Sequence, residues 1–292
     1  MKLRAALIQQ NSYGDHALVW ARTEEAVGQA ARGGAELVLL QELHMGAYFC
    51  QREDLAVFDE AEPIPGPGSE RLGALAARHG IVLVGSLFER RAVGIYHNTA
   101  VVFERDGRLI GRYRKMHIPD DPGFYEKFYF TPGDLGFTPI DTSVGRLGVL
   151  VCWDQWYPEA ARLMTLAGAD MLLYPTAIGW DPRDAQAEQQ RQREAWELIQ
   201  RGHAVANGLP VLSCNRCGFE PDPADADGGI QFWGASFACG PQGELLARAG
   251  AEPAVLFADI DSGRTESVRR IWPFLRDRRI DAYADLVRRY RD

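Results

Sequence analysis

The chain has 292 residues, 46% hydrophobic and 25% charged, an ordinary globular composition with length for one large domain or two modest ones. Its 32 basic and 40 acidic residues leave a net charge of −8, which argues against a nucleic-acid surface and mildly favours neutral or cationic small-molecule ligands. No apolar run approaches the roughly 20 residues that span a bilayer, no apolar signal core opens the chain, and five cysteines lack framework spacing, so a cytoplasmic protein without disulfides or membrane contact is expected.

In chain order, residues 3–9 read as a strand, 15–32 as an alanine-rich helix closed by Gly33-Gly34, and 37–42 as a strand ending in Glu42, a β-α-β opening. Pro63-Ile-Pro-Gly-Pro-Gly68 marks a turn, after which Ser69 is the expected N-cap of a helix that runs to His79 and stops at Gly80. A strand follows over 81–88. Runs 98–103 and 109–115 flank Asp106-Gly107, a strong hairpin signal, so Lys115 leaves a hairpin strand. Residues 116–136 are rich in Pro, Gly, Asp and aromatics without a period, a long loop of the kind that usually carries function.

The apolar run 145–151 closes at Cys152, and Trp153-Asp-Gln-Trp-Tyr-Pro-Glu159 reads as the start of a helix that continues to 167. Next come strand 171–175, a polar helix over 185–207 stopped by Gly208, and strand 211–215. Residues 222–229 read as a flexible acidic loop, followed by strands near 233–239, 244–248 and 254–259. One domain is expected over 1–265, with 266–292 as a peripheral tail for oligomer contacts. Early hairpins and later alternation of strand and helix point to an α/β fold with a mixed sheet.

Three of these runs end in complementary chemistry. Cys152, at a strand end before a helix N-terminus, is placed for ionisation, because the helix dipole and unpaired N–H groups favour a thiolate and would bring its pKa down from about 8.5. Glu42 and Lys115 end two other runs, and α/β sheets gather strand ends at one rim. Singly, the cysteine reads as a small buried hydrophobe and the charges as surface groups; only the joint pattern makes a nucleophile with partners. Cys214 and Cys217 have redox or zinc spacing but no second pair, and the six histidines form no HExxH, so neither a metal nor another cofactor is expected.

Four segments, Gln41-Glu-Leu-His-Met-Gly-Ala-Tyr48, Tyr113-Arg-Lys-Met-His117, Tyr125-Glu-Lys-Phe-Tyr-Phe-Thr-Pro-Gly-Asp134 and Val151-Cys-Trp-Asp-Gln-Trp-Tyr-Pro-Glu159, resemble in that order the motifs of the nitrilase, or carbon–nitrogen hydrolase, superfamily. The resemblance runs over about residues 3–260 and is closest to the branch acting on N-carbamoylputrescine. It implies a four-layer αββα sandwich with mixed sheets, a Glu42–Lys115–Cys152 triad and a second glutamate at Glu126. It also implies homodimers through helices flanking the nucleophile, often assembled further.

In the implied mechanism Glu42 takes the thiol proton, the thiolate attacks the carbamoyl or amide carbon, and the oxyanion meets the Lys115 ammonium and the Trp153 backbone N–H. Glu42 then protonates the leaving nitrogen and activates water against the thioester. Asp121 stands where close relatives look to have glycine, so a different bend is expected in the loop carrying Glu126.

Relatives that cleave N-carbamoyl-D-amino acids look to have arginines three and four residues after the nucleophile. Gln155 and Trp156 stand there in this chain, which argues for a neutral or cationic tail. Asp181 matches an acidic position suited to a distal ammonium, a turn role before Pro182 being as simple. Tyr48 and Trp156 are expected to wall the pocket; His117 either lines it or is a hydrogen-bonded structural group. The expected reaction is hydrolysis of N-carbamoylputrescine. The alternatives are an amidase or a hydrolase of N-carbamoyl amino acids or ureidopropionate and, from another class, a catalytically silent interaction protein.

Overall fold

The computed structural model describes residues 2–12, 14–222 and 224–291. The first half runs β1 (Lys2–Gln9), α1 (His16–Arg32), β2 (Leu37–Leu40), α2 (Pro67–His79), β3 (Val82–Ala92), β4 (Ile95–Phe103) and β5 (Leu109–Arg114), then a short α3 (Glu126–Tyr129). The second half runs β6 (Ile140–Thr142), β7 (Gly145–Val149), α4 (Pro158–Leu166), β8 (Met171–Pro175), β9 (Gly179–Trp180), α5 (Gln186–Asn207) and β10 (Val211–Cys214). It closes with β11 (Cys217–Asp222), β12 (Asp225–Trp233), β13 (Phe237–Cys239), β14 (Leu245–Arg248), β15 (Ala254–Asp261) and α6 (Ser262–Ile271).

Two six-stranded sheets result, ordered β15-β1-β2-β3-β4-β5 and β14-β13-β10-β8-β7-β6. In each, the inner strands pair in parallel and the outer ones antiparallel, as in β1 with β2 against β1 with β15. Side-chain alternation divides the strands between two cores. Leu3, Ala5 and Leu7 of β1 join Leu147 and Val149 of β7 between the sheets, while Ala6 and Ile8 meet Val27 of α1 and Leu75 of α2 on the outside. Trp196 and Ala204 of α5 and Met164 of α4 cover the second sheet. The layers are therefore αββα, and strands such as Leu37–Leu40 are apolar throughout because both faces are buried.

Helix ends follow local chemistry. Asp15 caps α1 through Oδ1 to the Leu18 N–H at 2.9 Å, and Gly80 and Gly208 end α2 and α5 with φ of 63° and 58°. Ser69 is not the N-cap of α2: Pro67 starts the helix two residues earlier, and Ser69 Oγ instead accepts from the Gly66 N–H at 2.8 Å. The acidic stretch 222–229 is not a loop either. Asp222 ends β11 and Asp225 starts β12, residue 223 lying outside the described residues; the two strands pair with a register shift at Pro221/Asp222, and β9 pairs on the far side of β12. Among the described residues no helix is long and apolar enough to cross a membrane.

Candidate active site

Glu42, two residues past β2, is followed by Leu43 at φ 46°, and Cys152, three past β7, itself sits at φ 41°. A left-handed non-glycine residue costs on the order of 1–3 kcal/mol and persists only where its surroundings hold it. Leu43 is held by its N–H to Ser86 Oγ at 3.1 Å. The Cys152 turn is held by Asp154, whose buried carboxylate accepts from the Val151 N–H at 2.9 Å and Tyr113 Oη at 2.9 Å through Oδ2. Through Oδ1 it also accepts the His117 N–H at 3.0 Å and pairs with His117 Nδ1 at 2.6 Å. One carboxylate thus ties the turn after β7 to the chain leaving β5, two residues from each of Cys152 and Lys115.

Lys115 is fully buried and donates from Nζ to Glu42 Oε1 at 2.8 Å and to Glu126 Oε2 at 2.6 Å. Asn98 Nδ2 adds a bond to Glu42 Oε1 at 2.6 Å, and Tyr48 Oη donates to Glu126 Oε1 at 2.7 Å. Among the described residues Glu42 Oε2 is buried with no hydrogen-bond partner, an acceptor without a donor. Glu126 arrives on a loop that crosses the Lys115 backbone through Gly133, where a Cβ would lie 2.1 Å from the Arg114 carbonyl oxygen. Asp121 does not disturb this loop. Gly123, at φ 79°, takes the left-handed position, and the Phe124 N–H closes the turn on the Asp121 carbonyl at 2.8 Å.

Burial dominates the electrostatics. It pushes the Cys152 thiol well above its ordinary value, the Glu42 charge adding to the effect and Lys115 opposing it. The expected lowering does not occur: burial and the Glu42 charge outweigh Lys115, and Cys152 heads only a five-residue 3-10 turn, α4 starting at Pro158. Burial disfavours the Lys115 ammonium, but Glu126 and Glu42 outweigh it and hold its pKa well above the usual value. Burial, opposed by Lys115 and reinforced by the Glu42 charge, raises Glu126 to about 7. The site therefore brings a buried thiol near a buried ammonium, and among the described residues Glu42 Oε2 is an acceptor without a donor. Trp153 lies in the first turn after Cys152, where backbone N–H groups have no intrahelical acceptor.

Cys152 and Glu126 open on a cavity of about 940 Å³. Trp153, Trp156, Trp180 and Trp233 line it, and the indole N–H groups of Trp156 and Trp233 are buried without a partner among the described residues. Among the described residues seven carboxylates, including Asp181, Asp222 and Asp225, line it against two guanidiniums, Arg183 and Arg191. Asp181 and Trp156 are thus at the cavity; Tyr48 and His117 are outside its lining. The Tyr48 hydroxyl is committed to Glu126, and the His117 ring is bound to Asp154 and stacked 3.7 Å from the Tyr157 ring. Gln155 also faces away, its amide bonded to Thr176 Oγ1 at 2.6 Å and Ser213 Oγ at 3.0 Å and accepting from Trp196 Nε1 at 2.8 Å.

Sequence reasoning missed Asn98 and Arg216. An asparagine with both strand neighbours buried is the available signal for Asn98. Nothing local marks Arg216, whose buried guanidinium donates to the carbonyls of Gly46 at 2.7 Å and Leu43 at 2.7 Å and to Glu220 Oε1 at 2.7 Å.

An αββα sandwich with a cysteine, a lysine and two glutamates converging at its rim defines a hydrolase of the nitrilase type. The family described as carbon-nitrogen hydrolase matches residues 4–270. N-carbamoylputrescine amidase of Solanum lycopersicum is 44% identical over 270 residues, covering 91% of this chain and 89% of that protein. Citrullinase of Francisella tularensis is 39% identical over 290 residues and 99% of each chain. The crystal structure of a carbon-nitrogen hydrolase from Helicobacter pylori G27 superposes with a TM-score of 0.97 at 54% identity over all of both chains. The chain belongs to the carbon–nitrogen hydrolase family, enzymes that act on carbon–nitrogen bonds other than peptide bonds.

Proposed function

We propose that the protein hydrolyses N-carbamoylputrescine to putrescine, carbon dioxide and ammonia through a Cys152 thioester. The thiol proton passes to Glu42 Oε2, the sulfur attacks the carbamoyl carbon, and the oxyanion is met by the Lys115 ammonium and the Trp153 N–H. Glu42 returns the proton to the leaving nitrogen and then activates the water that breaks the thioester. Glu126, bonded to Lys115, keeps the ammonium in place. The observation that carries the substrate is the charge of the cavity, seven carboxylates to two guanidiniums among the described residues, which favours a chain ending in an ammonium. Relatives named N-carbamoylputrescine amidase at 42–44% identity support the same choice.

The same reading takes the protein as a cytoplasmic homodimer or higher homo-oligomer, with residues 266–292 as a contact tail to the domain 1–265. Five free, buried cysteines support a reducing compartment. Ammonia release from N-carbamoylputrescine, an N-carbamoyl-D-amino acid and an aliphatic amide tests the chemistry, with Cys152→Ala as control. Preferred, Cys152-dependent turnover of the cationic urea is expected. Turnover of only the other two would retain the thiol chemistry and move the substrate, and turnover surviving in Cys152→Ala would reject the nucleophile.

A further inference from the structure

The last torsion of a glutamate is soft and roughly two-fold, so a carboxylate that serves as a base needs outside groups to decide which oxygen meets the thiol. At Glu42 the two oxygens are unequal. Oε1 accepts from Lys115 Nζ at 2.8 Å and from Asn98 Nδ2 at 2.6 Å, whereas Oε2 has no donor among the described residues. Lys115 alone does not impose this, because an ammonium on a flexible stem can serve either oxygen. Asn98 projects from a paired strand, β4, and ties Oε1 in place. Its backbone carbonyl also accepts the Lys115 N–H at 2.9 Å, so one residue holds both the base and the ammonium.

The amide is in turn oriented from behind. Asn98 Oδ1 accepts from Ser86 Oγ at 3.2 Å, and Ser86 Oγ accepts the N–H of Leu43, the left-handed residue after Glu42, at 3.1 Å. Ser86 of β3 lies opposite Ala100 of β4, so Asn98, two residues before Ala100, is its diagonal neighbour on one face. That face also carries Val84 and Ala100 into the core between the sheets. Turned over, the Asn98 amide would set its oxygen against Glu42 Oε1, acceptor against acceptor, and its NH2 against the Ser86 hydroxyl proton. Ser86, Asn98 and Glu42 are fully buried, so bulk water does not compete for these bonds.

We propose that Ser86 and Asn98 are positioning residues that act in series: Ser86 fixes the Asn98 amide, and Asn98 keeps the donors on Glu42 Oε1, leaving Oε2 to take the Cys152 proton. The inference rests on the reading of Glu42 as the base. Neither side chain belongs to the lining of the cavity at Cys152, so their removal acts on proton transfer and not on substrate binding. Because they act in series, losing Ser86 costs nothing further once Asn98 is gone.

Two rates test this in the wild type, Ser86→Ala, Asn98→Ala, the double variant and Glu42→Gln: turnover of N-carbamoylputrescine, and alkylation of Cys152 by iodoacetamide, located by peptide mass spectrometry. Alkylation requires removal of the thiol proton but no substrate; a loosened fold would raise its rate, whereas loss of the base lowers it. Both kcat and the alkylation rate should fall about tenfold in Ser86→Ala and about a hundredfold in Asn98→Ala, the scale of one neutral and one charge-assisted hydrogen bond, with KM unchanged. The double variant should match Asn98→Ala. A double variant slower by the product of the two factors means that Ser86 acts on the Leu43 turn alone, and overturns the series. Losses carried by KM, or alkylation faster than in the wild type, make the two residues structural and also overturn it. Slow alkylation in Glu42→Gln with unimpaired Ser86→Ala and Asn98→Ala rejects the inference and leaves the proposed function standing. Alkylation as fast in Glu42→Gln as in the wild type rejects Glu42 as the base, and the series with it. A wild type that does not turn over N-carbamoylputrescine rejects the substrate, while the alkylation rates still decide between series and independent action.

Discussion

Glu126 and Glu42 share one lysine but hold their charge on different terms. Lys115 and Asn98 both donate to one Glu42 oxygen, while Glu126 spends one oxygen on Lys115 and the other on Tyr48. With its pKa raised to about 7, Glu126 gains a proton as the pH falls through neutrality. Lys115 then keeps a single charged partner, and on the proposed mechanism kcat/KM should decline below about pH 7. Tyr48→Phe removes a donor to the charged form and should move that limb up by about one pH unit; a limb that stays put would detach it from Glu126. The same shift has a consequence for stability. A carboxyl whose folded pKa of about 7 exceeds its ordinary 4.5 binds more protons folded than unfolded between those values, so its contribution to stability falls as pH rises through that window. Glu126→Gln lacks this slope. Its Tm relative to wild type should therefore improve from pH 5 to about pH 7 and level off above it, while kcat drops, and a pH-independent difference would mean that Glu126 stays ionised throughout.

At the level of elements, the rim is assembled by connections that no single segment announces. Arg216, between β10 and β11, donates to the carbonyls of Leu43 and Gly46 and to Glu220, whose other oxygen accepts the Tyr48 N–H at 2.6 Å. The loop carrying Glu42 is thereby fastened to the β11–β12 hairpin. Arg216→Met leaves Glu220 buried without its cation, and removing one partner of such a pair costs about 3–5 kcal/mol. Urea denaturation should show that loss; a change below about 1 kcal/mol, the scale of an exposed pair, would mean the clamp is dispensable. The legibility of the site follows from the same distinction. Glu42, Lys115 and Cys152 could be singled out because each terminates an apolar run, and Glu126 because a motif resembles one in a family. Arg216 and Asn98 act across roughly 170 and 56 residues of sequence respectively, where no periodicity reports a contact. The hairpin was hidden by its own composition: Asp, Pro and Gly read as loop, yet Gly229 at φ 146° gives β12 a backbone that other residues rarely adopt. Asp154 went unread for another reason, since an acid after a nucleophile suggests a helix start rather than four donors converging on it.

For the whole molecule, the outer face of the second sheet's helices bears on assembly. Leu198 and Val205 of α5 lie seven residues apart, on one side of the helix, and Leu163 and Leu166 of α4 are also exposed beside them. Polar residues would be expected on a helix face that only meets water, whereas clustered exposed aliphatics mark an association surface. The net charge of −8 works against association, since like-charged copies repel at long range, so burial of apolar area must supply the attraction. Raising salt then screens the repulsion and leaves the apolar term, which predicts a dimer no weaker at 0.5 M salt than at 0.05 M. Sedimentation should give the wild type at least twice the 32.5 kDa of one chain under both conditions. Leu198→Glu with Val205→Glu places two more negative charges on that face and should yield the monomer with its secondary structure retained. A wild type that sediments as a single chain would reject assembly outright. A double variant that stays dimeric would move the interface elsewhere, with the exposed Ile271, Trp272 and Phe274 of the tail as the surface to change next.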